Sequence, residues 1–207
     1  IFNHAVSVKG FYLEMKDVCV ITGITGQDGI ILSEKLLALG HKVVGTSRNP
    51  YGETAKLLRS NGVDVQNINL YDETACDKFI ENYKPNKIFH LACQSSVGRS
   101  FEIPLETINS CIIPTANLLR SIGSHSSKSL FLHFASSECF GDCSTKISTK
   151  TPFAPRSPYG VGKCSASQMV DIYRDTKSLN AKNAFLFNHE SIHRTENFVT
   201  MKIINAA

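Results

Sequence analysis

The chain has 207 residues, 42% of them hydrophobic and 19% charged, with a formal net charge of +4. That describes a globular chain able to bury one full core and begin a second unit. So small a charge, with no dense Lys/Arg run and no aromatic-interleaved basic stripe, excludes nucleic acid as a partner, and no apolar run approaches the ~18 residues of a membrane span.

Seven cysteines, at 19, 76, 93, 111, 139, 143 and 164, are an odd number scattered along a chain too long to need staples. Dispersed thiols suit a reducing, cytoplasmic setting, and their spacing matches no zinc motif, so no metal is expected. Residues 1–14 lack the apolar core of a signal peptide and read as a tail, a cloning remnant or upstream translation. Met15 directly precedes the first strong strand.

In chain order, Val18–Thr22 is a short β-branched run ending in a glycine turn, as a buried parallel strand should. Gln27–Leu39 carries apolar residues near helical spacing and is closed by Gly40. Lys42–Thr46 is the second strand, followed by a helix around Glu53–Ser60. The alternation continues with a strand over Val63–Leu70, a helix over Asp72–Tyr83 and a strand over Lys87–Ala92. A long helix covers Leu105–Ile122, with Pro114 as a candidate kink. Leu130–Ala135 is the fifth strand and Thr145–Ser157 a proline-bearing loop. Ser157 caps a helix that Pro158 opens and that runs to Lys177; Lys182–Phe187 is the sixth strand. Residues 197–207 begin another helix. This alternation predicts an α/β fold of the Rossmann type, a doubly wound parallel sheet with helices on both faces. The predicted division is a cofactor domain over residues 15–187 and the start of a smaller substrate-binding domain over 188–207.

Three glycines, Gly23, Gly26 and Gly29, stand at i, i+3 and i+6 between a strand and a helix, where backbone can approach a pyrophosphate. Arg48 follows the second strand, where the adenosine ribose of a dinucleotide lies. A guanidinium there pairs with a 2′-phosphate and favours NADP over NAD. Tyr159 and Lys163 share one helix face, and the ammonium is expected to draw the phenol down from roughly 10, making it a base for an alcohol proton. Glu138 sits just past the fifth strand, at a carboxyl end where catalytic groups collect, with Ser136 beside it as a hydrogen-bond donor. His189-Glu190-Ser191-Ile192-His193 spells a zinc-protease signature, but it follows a strand in a polar stretch and is read as accidental.

Together these residues resemble the GDP-mannose 4,6-dehydratases, a family of extended short-chain dehydrogenase/reductases. The resemblance runs from Val18 to Ala207, and its most specific pieces are ITGITGQDG (21–29), TPFAPRSPYGVGK (151–163), LFNHES (186–191) and ENFVTMKI (196–203). It implies conversion of GDP-mannose to GDP-4-keto-6-deoxymannose with a tightly held NADP. Tyr159 would take the C4 hydroxyl proton while the hydride goes to NADP, supported by Lys163, with Ser136 bonding the reacting oxygen. Glu138 would then remove the C5 proton and help expel the C6 hydroxyl as water. It also implies cofactor contacts from Gly23, Gly26, Gln27, Asp28, Gly29, Arg48, Leu91, Ala92 and Gln94. Substrate contacts are implied from Ser95, Asn188, Glu190, Arg194 and Lys202.

The resemblance further implies association into homo-oligomers and a substrate domain continuing past residue 207. Departures from the family's pattern fall at Asn69, Ser96, Ser136, Ile192, His193, Thr195 and Met201. Loss of arginine at two of them bears on nucleotide recognition. Two other readings stay open: a related nucleotide-sugar epimerase or reductase, and an NADP-binding fragment without turnover.

Overall fold

Val18–Thr22 forms β1, an interior strand of a six-stranded parallel sheet ordered β3-β2-β1-β4-β5-β6. The computed structural model describes residues 16–196 and 198–206; the tail expected over 1–14 lies outside them. The other strands are β2 (Lys42–Thr46), β3 (Asp64–Gln66), β4 (Lys87–His90), β5 (Leu130–Ser136) and β6 (Ala181–Leu186). Between them run α1 (Gln27–Ala38), α2 (Glu53–Ser60), α3 (Glu73–Tyr83), α4 (Val97–Ser100), α5 (Pro104–His125) and α6 (Pro158–Lys177), and α7 (Val199–Ala206) follows β6. The predicted doubly wound sheet is the one observed.

Local chemistry sets the element ends. Asp72 caps α3 by accepting from the Ala75 amide at 3.1 Å, and Ser157 caps α6 by accepting from that of Gly160 at 3.0 Å. Gly40, at φ +83°, turns the chain out of α1 into β2. Helix α5 continues through Pro114 instead of ending there. Two expected strands are shorter than their apolar patterns. Val63 belongs to the turn closing α2, its amide bonded to the Leu58 carbonyl. Beyond Gln66 the strand β2 offers no further partner, so β3 spans three residues and not eight. β4 stops at His90, where its pairing with β5 ends; beyond it the Leu91 amide still bonds the Thr22 carbonyl.

One core layer lies between the sheet and the helices α3, α5 and α6, around Val20, Ile88, Leu118, Phe131 and Val170. The other packs α1 and α2 through Ile21, Ile24, Leu36, Val43 and Leu58. Because β1 feeds β2 on one side and pairs with β4 on the other, the strand order reverses at the β1/β4 boundary. The sheet therefore splays a crevice at the carboxyl ends of these strands. Among the described residues no helix is long and apolar enough to cross a membrane.

Leu118 on α5 is fully buried, whereas Leu105 at the start of the same helix is 74% exposed. Leu118→Ala is expected to destabilise by about 2–5 kcal/mol, and Leu105→Ala by no more than about 0.5 kcal/mol. Urea unfolding followed by circular dichroism measures both; equal effects would contradict this orientation of α5.

Candidate active site

A cleft of about 1350 Å³ opens at the β1/β4 crevice. Its lining includes the glycine turn, the ends of β2 and β3, the loop after β4, the end of β5, the first turns of α6 and the segment after β6.

The turn is built for close approach. Gly23 sits at φ +70°, and a Cβ there would lie 3.0 Å from the Ala92 Cα, so only glycine lets the loop after β4 rest on it. At Gly26 a Cβ would meet only the Gly23 carbonyl, at 3.4 Å, leaving the backbone at the amino end of α1 open to the cleft. Open backbone at a helix amino terminus fits a pyrophosphate. Arg48 is exposed on the cleft rim past β2, next to Ser47, whose hydroxyl lies 3.2 Å from that of Thr25.

The floor is a directional chain of hydrogen bonds. The Ala92 amide donates to Thr22 Oγ1 (3.2 Å), which lies 2.7 Å from His90 Nδ1; His90 Nε2 lies 3.1 Å from Thr115 Oγ1, which donates to the Cys111 carbonyl (2.6 Å). One tautomer satisfies every member, with Nδ1 accepting from Thr22 and Nε2–H donating to Thr115. Burial, with the charge of Lys163 adding to it, drives His90 down to about 3, so the ring stays neutral. These bonds tie β1, β4 and α5 together under the cleft.

Tyr159 and Lys163 lie on the buried face of α6, 8% and 4% exposed. Lys163 Nζ donates to the Phe134 carbonyl at 2.6 Å and sits 6.0 Å from the centre of the Tyr159 ring. Burial opposes the ammonium, but neighbours that can become anionic, Cys93 and Tyr159 foremost, keep its pKa above the ordinary value. The expected lowering of the tyrosine is not observed. Burial outweighs Lys163 and pushes the Tyr159 phenol up to about 12. Ser136 accepts from the Glu138 amide at 3.2 Å, which places Glu138 on a single 3₁₀ turn, half-buried and lining the cleft with Tyr159. A Cβ at Gly160 would lie 2.8 Å from the Glu138 carbonyl, so the glycine after Tyr159 lets α6 seat against that turn.

Of the remaining predicted residues, Leu91, Ala92, Gln94 and Ser95 line the cleft. The Gln94 amide is committed to its own loop, donating to the Ser96 carbonyl (2.9 Å) and Thr107 Oγ1 (3.0 Å), so it shapes the wall. Asn188 and Glu190 reach the cleft; Arg194 does too, but it is paired with Glu190 at 3.4 Å and stacked 3.5 Å from the Phe198 ring centre. Lys202 is exposed on α7 and is not brought to the cleft.

Gln27 and Asp28 line the turn, and the Asp28 carboxylate has a partner that the sequence did not disclose: His189 Nε2 at 2.7 Å. His189 Nδ1 lies 2.7 Å from the Phe187 carbonyl. The segment carrying His189 and His193 is not helical, so the two rings share no helix face as a zinc-protease pair would. Cys93 and Cys111, read from the sequence only as scattered thiols, pack against Tyr159. A separation of eighteen positions gives no sequence signal for that contact.

Residues 20–207 match the family described as GDP-mannose 4,6 dehydratase. The chain is 38% identical over 208 residues to GDP-mannose 4,6 dehydratase 2 of Arabidopsis thaliana, covering 94% of this chain and 56% of that protein. It is 37% identical over 204 residues to the human GDP-mannose 4,6 dehydratase, covering 91% and 54%. It thus spans about half the length of the curated relatives it matches. Among solved structures, a dTDP-glucose 4,6-dehydratase from Streptomyces venezuelae superposes with a TM-score of 0.80 at 16% identity, over 91% of this chain and 61% of that one.

The His189 contacts carry a pH dependence. A carbonyl and a carboxylate only accept, so both ring nitrogens must donate and the imidazolium is favoured. The bond to Phe187 and then that to Asp28 raise the His189 pKa above 6.5. A raised folded-state value stabilises fully below the unfolded pKa of about 6.5 and is lost as pH rises through the folded one. NMR titration of the His189 ring is expected to show that elevated midpoint, and Asp28→Asn to lower it. A midpoint at or below the ordinary histidine value would contradict the pairing.

Proposed function

The chain belongs to the GDP-mannose 4,6 dehydratase family, and we propose that it forms the cofactor-binding and catalytic part of a nucleotide-sugar 4,6-dehydratase acting on GDP-mannose. The carrying observation is that Tyr159, Lys163, Ser136 and Glu138 line one cleft with the open glycine turn. A carboxylate beside a Tyr–Lys pair supports dehydration over simple epimerisation, because water elimination needs a second proton-transfer group.

The glycine turn at the amino end of α1 would hold the pyrophosphate of a dinucleotide, and the loop after β4 would hold its nicotinamide end. Arg48 at the rim meets a 2′-phosphate, so NADP is the favoured form. When bound, a nicotinamide would supply the hydride acceptor for C4 and the hydride donor for C6. Tyr159 takes the C4 hydroxyl proton. Its raised pKa keeps the phenol protonated at rest, and Lys163, 6.0 Å from the ring centre, offsets the charge that develops on the phenolate. Ser136, bonded to the Glu138 amide and lining the cleft beside Tyr159, orients the sugar oxygen. The C4 ketone acidifies the C5–H; Glu138 removes that proton and assists departure of the C6 hydroxyl as water. Ser95, Asn188, Glu190 and Arg194, which line the cleft, are the substrate-side residues, with 188–207 beginning the substrate-binding domain after the cofactor domain of 15–187. Exposed Leu105, Val161 and Ile172 on α5 and α6 suit self-association, and seven reduced thiols suit the cytoplasm.

Incubation with GDP-mannose and NADP, followed by mass spectrometry, is expected to show loss of one water from the sugar nucleotide. Glu138→Gln is expected to abolish that loss while leaving NADP binding intact; unchanged turnover would overturn the role given to Glu138. Binding of NADP without any product would favour a cofactor-binding fragment whose turnover needs the remaining length of its relatives. Arg48→Ala is expected to weaken NADP by about 10- to 100-fold while leaving NAD nearly unchanged. Calorimetric titration of both cofactors measures this, and equal losses for the two would refute the 2′-phosphate contact.

A further inference from the structure

A row of polar side chains crosses four strands of the sheet below the cleft. Thr22 on β1 stands beside His90 on β4, His90 beside His133 on β5, and His133 beside Asn183 on β6, each pair in direct register. Direct partners in parallel strands point to the same face. His90 reaches Thr115 on α5, and Asn183 reaches Ser167 and Asp171 on α6, so the row faces those two helices. The His90 and His133 ring centres lie 5.6 Å apart.

The two histidines differ in what they bond. Both nitrogens of His90 have hydroxyl partners, at 2.7 and 3.1 Å. His133 is just as deeply buried, 1% exposed, yet neither of its ring nitrogens has a partner, and Asn183 Oδ1 beside it is buried without a donor. Among the described residues His133 is the only side chain whose every polar atom is buried and unpartnered. Burial foremost, and then the charge of Lys163, keep its ring neutral, so one nitrogen donates and the other accepts. The other polar groups near Asn183 are committed. Asn183 Nδ2 donates to the Ser167 carbonyl at 3.0 Å and to Asp171 Oδ1 at 3.1 Å, and Ser167 Oγ donates to the Lys163 carbonyl at 2.8 Å. Polar groups buried this deeply in folded proteins are met by protein or by internal water.

We propose that His133 and Asn183 form an internal water-binding site between the sheet and α6. The two nitrogens of an imidazole point apart, so each takes a water, and one of these waters is shared with Asn183 Oδ1. The shared water donates to that oxygen and bonds the ring in either tautomer, because water both donates and accepts. The bridge continues through Asn183 and Ser167 to the Lys163 carbonyl, and so ties β5 and β6 to the turn of α6 that carries Lys163. Neither substrate nor cofactor enters, so this inference stands or falls separately from the dehydratase reading.

The test reads the His133 ring of the whole chain by NMR, with isotope-labelled histidine. Magnetisation transfer from water to its carbon-bound ring protons is expected, with the sign of a water held far longer than surface hydration. Asn183→Leu, which removes the shared partner, is expected to cut that transfer to roughly half. Urea unfolding of wild type, both single variants and the double variant supplies an independent reading. His133→Leu is expected to lower the folding equilibrium constant about tenfold when Asn183 is present, because it strands the Asn183 oxygen, and by much less beside Asn183→Leu. Should a leucine variant fail to fold, the wild-type transfer decides alone, its presence supporting the site and its absence overturning it. Transfer unchanged by Asn183→Leu, or a His133→Leu chain as stable as wild type or more so, would likewise overturn the proposal.

Discussion

A buried ammonium is the constraint around which the cleft is organised. Lys163 is 4% exposed, and removing such an ion from water costs several kcal/mol unless its protons are met. Here one proton is met by the Phe134 carbonyl, and Cys93 and Tyr159, neighbours that can become anionic, favour the charged form. Satisfying Lys163 therefore fixes α6 against the carboxyl end of β5, where Ser136 and Glu138 begin. The capped start of α6 and the contact of Gly160 with the Glu138 carbonyl hold the same junction from the other side. Ser136 and Glu138 are placed by packing and not by the loop that carries them.

That junction also sets the balance between burial and charge at Tyr159. A lysine one turn away lowers a tyrosine pKa in a solvated helix, but here the phenol is almost as deeply buried as the cation, and desolvation prevails. His90 shows the same principle from a neutral direction. Two hydroxyl partners and complete burial keep its imidazole uncharged, so it serves as a rigid strut between β1 and α5 without competing with Lys163 for anions.

At the opposite edge of the cleft the segment after β6 is pinned to the glycine turn by His189 and Asp28. This contact links the last strand of the sheet to the first helix, 161 positions apart, and brings Asn188 and Glu190 to the same opening as Gly26. Arg194 is engaged with Glu190 and Phe198, and α7 carries Lys202 away from the cleft.

The alternation of strands and helices, the glycine turn, the capped Tyr–Lys helix and Glu138 past β5 were legible from residue order, because each rests on local periodicity, turn chemistry or spacing along one element. The sequence by itself thereby determined the fold class and picked out Ser136, Glu138, Tyr159 and Lys163, which the fold brings to one cleft. It overextended β3 and β4, since an apolar pattern cannot tell where a neighbouring strand stops offering partners. Only the tertiary structure decided the charge state of Tyr159, the strut through His90, the His189–Asp28 pair and the packing of Cys93 and Cys111 against Tyr159. All four depend on which distant side chains share a water-poor space, and desolvation and long-range contact leave no mark in the spacing of residues along a chain.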